Sequence, residues 1–207
     1  MADSATKTTS ACASTALYES LAYCKGTTVL PGLRPHIYYI AKSDIVTFPS
    51  APSTVASGGS MKDLAIIATD FVLKADCKWK KIDIVSSASS VKSESQGDAP
   101  SKTFKNTGEF RYPGNNAAAA AFCRQANADD LVYLWPQRDG QYRLLGNSMF
   151  ETNTTPAQES GSSETDASGT TITVTVTDIM PSPFYTGKIE TADGNINGAD
   201  GTAAASA

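Results

Sequence analysis

The clearest patterning along the chain has a period of two. From Thr170 to Asp178, Ile172, Val174 and Val176 alternate with Thr171, Thr173, Thr175 and Thr177. All seven are β-branched and suit a pleated, half-buried strand. From Ala65 to Trp79 the odd positions include Ile67, Phe71, Leu73, Cys77 and Trp79, while Asp70, Lys74, Asp76 and Lys78 occupy even ones. That pattern predicts one strand with a buried and a wet face. A helical reading through Leu64, Ile67, Phe71 and Lys74 fails by Trp79. Ile82 and Ile84 then fall on even positions, which predicts a bulge or turn near Lys80-Lys81, because a one-residue slip moves every side chain to the other face.

Leu131 to Trp135 and Gln141 to Gly146 are two aliphatic-aromatic runs separated by Pro136-Gln137-Arg138-Asp139-Gly140. The Asp-Gly pair predicts a hairpin. His36 to Ala41, Lys102 to Tyr112 and Phe184 to Thr191 are further strand candidates. One helix stands apart over 115–127: Pro113-Gly114-Asn115-Asn116 supplies a turn and a cap, and Ala117 to Ala126 are mostly good helix formers. Thr152 to Gly169 carries Glu159, Glu164 and Asp166 without a base and reads as a long solvent loop, and Pro49 to Gly59 reads as a shorter one. The expected fold is mainly β: an antiparallel β-sandwich or barrel of roughly seven to ten strands with one short flanking α-helix. Residues 24–191 form that body. The Ala/Ser/Thr-rich 1–23 and the small-residue 192–207 are expected to be a flexible N-terminal arm and a flexible C-terminal tail.

Composition narrows the function. The formal charge of −4 and the absence of a basic cluster argue against nucleic acid as the main ligand. No run of about 18 apolar residues offers a membrane-spanning helix, and residues 1–13 lack the charged start and apolar core of a secretory signal. The chain is therefore expected to be a cytoplasmic product with no membrane anchor. Cys12, Cys24, Cys77 and Cys123 are too scattered for a zinc site and read as reduced thiols, Cys77 and Cys123 being buried. Trp79 and Trp135 sit in strand patterns and are expected to be buried. A lone imidazole, His36, would have to serve every histidine-dependent mechanism, and it lies in a strand pattern as a surface or partner-contact residue. Gly58-Gly59-Ser60 does not continue into a phosphate loop. The best acid pair, Asp129-Asp130, reads as a solvated turn. No catalytic residue, metal site or cofactor is expected, and the chain is not expected to be an enzyme.

The order and spacing of several segments resemble the major tail tube proteins of long-tailed phages, in particular those infecting Bacteroidetes. These are Pro31 to Ile40 with Ser43-Asp44-Ile45; Trp79-Lys80-Lys81-Ile82; Lys92 to Gly97; Gly108-Glu109-Phe110 with Pro113-Gly114; the Asp139-Gly140 hairpin ending at Leu145-Gly146; and Pro183 to Gly187. They span about residues 24 to 190. The resemblance implies a virion structural protein located in the phage tail and made in the host cytoplasm. Its subunits would close six-membered rings that stack into a tube, contact other tail proteins and pass DNA without binding it specifically. A tail-completion or baseplate hub protein of the same fold is one alternative. A surface or pilin-like carbohydrate-binding β-sandwich is another, and a small enzyme is the third class. Residues 86–112 are expected to extend as a loop with no core of their own onto a neighbouring subunit. Lys92, Glu94, Asp98, Lys102, Lys105 and Glu109 would supply charges of alternating sign, and Phe104, Phe110 and Tyr112 would anchor the contact.

Overall fold

The structure, a computed structural model, describes residues 18–52 and 60–204. Parts of the two flexible ends and of the 49–59 loop predicted above, and Cys12, therefore lie outside the described residues. Short strands open the chain: β1 (His36–Ala41), β2 (Ile45–Thr47), β3 (Ile66–Ile67), β4 (Val72–Leu73) and β5 (Lys80–Asp83). A long hairpin, β6 (Ser90–Gln96) and β7 (Thr103–Pro113), leads to α1 (Ala117–Ala126). Then come β8 (Leu131–Pro136), β9 (Tyr142–Leu145), β10 (Thr152–Glu159), β11 (Gly169–Asp178), β12 (Phe184–Tyr185), β13 (Lys188–Thr191) and β14 (Gly194–Asn197). The mainly-β fold with one short helix is as expected.

Two sheets carry the architecture. A six-stranded sheet runs β3-β12-β9-β8-β1-β5, and a four-stranded antiparallel sheet runs β10-β11-β7-β6. Between them lies the first core, with Ile37, Tyr133, Trp135 and Leu145 on one side and Phe110, Ile172, Val174 and Val176 on the other. The opposite face of the six-stranded sheet is also buried. There Tyr38, Ile40, Val132, Leu134, Leu144 and Tyr185 form a second core with Phe71, Trp79 and Ile189. Phe71 sits at its centre, its ring 5.3 Å from those of Trp79 and Tyr185 and 5.7 Å from that of Phe48. The two-stranded pairs β2-β4 and β13-β14 belong to this second layer.

Double coverage explains β8, whose six residues are all buried and show no alternation. It also corrects the bulge expected near Lys80-Lys81. Trp79 faces the second core, whereas Ile82 and Ile84 pack in the first. Regular alternation places them on opposite faces, and the β1-β5 register runs without a shift from His36↔Asp83 to Tyr39↔Lys80. The single strand expected over Ala65 to Trp79 is broken instead. A 3₁₀ turn at Met61–Ala65, two-residue strands β3 and β4, and a left-handed Asp76 (φ 63°) replace it. Ile67, Phe71 and Trp79 share a core although the chain turns between them.

Three other expectations are overturned. The solvent loop expected over Thr152 to Gly169 is confined to residues 160–168, because β10 pairs with β11 over eight positions, from Thr152↔Val176 to Glu159↔Gly169. The inward residues of β10, Thr152 and Thr154, are buried threonines, and the Thr154 and Tyr133 hydroxyls are 3.0 Å apart. The described part of the tail, 192–204, folds back as β14 and a bridge between Ile196 and Ala203. Residues 86–112 are a hairpin within the four-stranded sheet and contribute Phe110 and Asn106 to its buried face.

The helix and the main hairpin form as their residues dictate. The Asn116 side chain accepts a hydrogen bond from Ala119 N (2.9 Å), capping α1. Ala119, Cys123 and Ala126 turn one face inward, while Phe122 packs edge-on against Tyr39 at 5.1 Å. Between β8 and β9 the turn closes through Gly140 at φ +98°, a backbone region glycine enters at little cost. Cys24, Cys77 and Cys123 carry free thiols; Cys123 is buried and Cys77 half-buried.

At Gly108 the two sheets leave no room for a side chain, since a Cβ there would stand 2.4 Å from Cζ2 of Trp135. Gly108→Ala is expected to lower unfolding free energy by about 1–3 kcal/mol, the usual cost of overpacking. Urea denaturation followed by tryptophan fluorescence measures it, and an unchanged midpoint would contradict this packing.

Candidate subunit interface

The surface of the four-stranded sheet follows from its register. Thr155, Thr173, Glu109 and Ser90 lie in one row across the strands, and Asn153, Thr175, Thr107 and Lys92 in the next. Thr177, Lys105 and Glu94 continue the third. The core occupies the other side, so this face is a lawn of threonines carrying three cations and three anions, Arg111 opposite Thr171 and Glu159 opposite Gly169 completing the set. Among the described residues its edge strands, β10 and β6, each have a partner on one side only. Pro156 lies in the middle of β10, opposite Ile172, so a strand added there must do without that donor.

Of the nine residues named for a subunit contact, Lys92, Glu94, Lys105 and Glu109 share this face. Their alternating signs are matched inside the hairpin: Glu94 sits opposite Lys105, and its Oε1 is 3.5 Å from the Lys92 Nζ. Asp98 and Lys102 are exposed in the turn between β6 and β7. Phe104 and Tyr112 are half-buried on the inward side, in line with Asn106, Gly108 and Phe110. Phe110 does not belong to an interface at all. It is wholly buried, 5.5 Å from Trp135 and 6.3 Å from Tyr133 between ring centroids. The segment therefore has a core of its own, contrary to expectation, and its polar exterior hid one buried face.

The candidate catalytic groups have structural surroundings. Asp130, just before β8, pairs with Lys42 (2.9 Å) and accepts from Thr152 N (2.9 Å), while Lys42 also donates to Phe150 O, tying the end of β1 to the starts of β8 and β10. His36 stacks edge-on against Tyr38 at 5.4 Å. Burial, followed by the charges of Lys81 and Arg34, lowers its pKa below the usual 6.5. Among the described residues no three His, Cys, Asp or Glu side chains gather as a metal site. Among the described residues no helix is long and apolar enough to cross a membrane.

Two clefts flank the sheets. One, about 300 Å³, lies between α1 and β5 and is lined by Tyr39, Ile82, Tyr112, Phe122 and Ile172. The second, about 330 Å³, lies beside the end of β11 and is walled by Phe48, Ile67, Leu144, Met149, Ile179 and Asp178. Sequence reasoning missed this second cleft and the apolar residues of Tyr18 to Leu30. Their one visible signal is apolar side chains in segments with no strand or helix pattern. Compared with known families, characterised proteins and solved structures, the chain matches none.

Phe110→Ala is expected to destabilise the isolated subunit by about 3–5 kcal/mol, as for a buried aromatic, whereas Lys105→Ala stays within about 0.5 kcal/mol. Equilibrium unfolding below any assembly threshold separates the two; a neutral Phe110→Ala would return that residue to the interface. For His36, a lowered folded-state pKa means that the unfolded chain binds its proton first as pH falls. Stability tied to this group is present above pH 6.5 and is lost below it. Melting curves from pH 7.5 to 5 should therefore decline less steeply for His36→Gln than for the parent; equal slopes would refute the assignment.

Proposed function

We propose that this chain is a structural, non-catalytic subunit that assembles with itself into rings and stacked tubes, as a phage tail tube protein does. The reading is carried by one observation: a four-stranded sheet whose inner face builds the core, whose outer face is polar and whose two edges are unpaired within the described chain. Such edges invite pairing with another chain. Six copies joined edge to edge would close a barrel of 24 strands. With usual spacing and a tilt of about 40°, its backbone diameter would be about 48 Å, wide enough to admit a nucleic-acid duplex.

The face that would line such a barrel suits passage. Its hydroxyls and balanced charges, Lys92, Lys105 and Arg111 against Glu94, Glu109 and Glu159, present no excess of cations to hold phosphates. Closure also removes the exposed edges that a monomer would carry, so subunit stability and assembly reinforce each other. The order of segments that resembles the tail tube proteins supports the same reading. In this proposal the partners are other copies, further tail proteins and transient DNA, the location is the virion tail, and no cofactor takes part.

Negative-stain imaging of the purified chain over a wide concentration range tests the proposal. Rings or tubes with an open lumen are the expected result. A protein that remains monomeric by light scattering at the highest concentrations, with no rings in the images, would overturn it.

A further inference from the structure

Residues Tyr18 to Leu30 contain no strand or helix and turn at Lys25-Gly26. The large apolar side chains of this segment face solvent to differing degrees: Tyr18 is 90% exposed, Leu21 89%, Val29 74%, Tyr23 70% and Leu30 52%. A side-chain bond ties the segment to its own body where Met61 N donates to Glu19 Oε1 (2.9 Å), and Tyr23 Oη bonds back within the segment to Thr27 O. Soluble surfaces do not usually concentrate apolar side chains in this way unless something covers them.

A surface of matching character exists elsewhere on the chain. The cleft beside β11 is mostly apolar, and Met149 and Ile179 of its wall stand exposed. In its wall lies Asp178, only 6% exposed, which accepts from Asn147 Nδ2 (3.0 Å) and Ile179 N (2.7 Å). No cation pairs with it among the described residues. Burial pushes the Asp178 carboxyl above its usual pKa, the direction expected where a neutralising cation is missing. Between Tyr18 and Leu30 there is one cation, Lys25, in the middle of the apolar residues.

We propose that Tyr18 to Leu30 of one copy docks on a second copy of this chain. Its tyrosines and aliphatic residues lie over the cleft between Phe48 and Ile179, and the Lys25 ammonium reaches the Asp178 carboxylate. The segment and the cleft are different surfaces, so the contact is heterologous and repeats from copy to copy. This deepens the self-assembly reading and rests on it, since it names a surface through which copies join.

The test uses the full chain with a photo-crosslinking benzoylphenylalanine in place of Tyr23. Irradiation should give dimers and larger species whose cross-linked peptides contain Phe48, Met149 or Ile179. Ile179→Asp, at an exposed position, and Lys25→Glu should each lower that yield about tenfold or more, as loss of an interface anchor does. An unchanged yield with either variant, cross-links to another surface, or a product of monomer mass would overturn the proposal. Tubes seen by microscopy together with cross-links elsewhere would sink the docking site alone. Absence of any oligomer at every concentration would overturn both readings.

Discussion

The constraint on which the rest of the structure depends is burial of the six-stranded sheet on both faces. Tyr133 and Trp135 point toward the four-stranded sheet while Val132 and Leu134 point into the second core. A single strand, β8, thereby belongs to two cores and is fully excluded from water. Strands with that duty lose the polar-apolar alternation of a half-exposed sheet and read as continuous apolar runs. The layers on either side can then be polar outside, because the central sheet supplies the apolar area that both need. This is how a chain with only 41% apolar residues fills two cores.

The same duty decides what was legible in the sequence. β11 was plain because it has one wet face, and its threonine alternation survives intact from Thr171 to Thr177. The β8-β9 hairpin was plain because Asp139-Gly140 specifies its turn regardless of burial. The shift of parity from Trp79 to Ile82 suggested a bulge only while one buried face was assumed. β10 escaped notice because its inward residues are Thr152 and Thr154, whose burial leaves no apolar signature. Of the hairpin from Ser90 to Pro113, the second strand was legible over Lys102 to Tyr112, whereas β6 and the hairpin's place in the core were not, because one face is charged and Gly108, on the other, is a gap filled by Trp135 from a distant strand. Tertiary partners of that kind are invisible in local pattern.

For the candidate interface the outcome is divided for a related reason. Charge and exposure were read correctly for Lys92, Glu94, Lys105 and Glu109, which share one face. Aromatic character was read as an anchor for a partner in Phe110, where it serves the subunit's own core. In a strand, neighbours in sequence face opposite ways, so Glu109 and Phe110 have opposite fates although nothing in composition separates them. Only the register with β11, where Glu109 meets Thr173 and Phe110 meets Ile172, assigns each to its side.

Assembly by such a subunit has to reconcile two opposed requirements. An edge strand must be available to a correct neighbour and unattractive to any other strand. The two edges of the four-stranded sheet are polar, and β10 lacks one donor at Pro156, which weakens indiscriminate backbone pairing. Selectivity then has to come from side chains placed away from the edges. In the docking proposed above, an apolar segment carrying one cation, matched to an apolar cleft holding one buried carboxylate, would provide that selectivity: a wrong register would leave Asp178 without the proposed partner and the tyrosines in water. In this scheme backbone pairing supplies extent and the side-chain contact supplies register. In the proposed assembly, subunits would commit to a ring only when both are satisfied together.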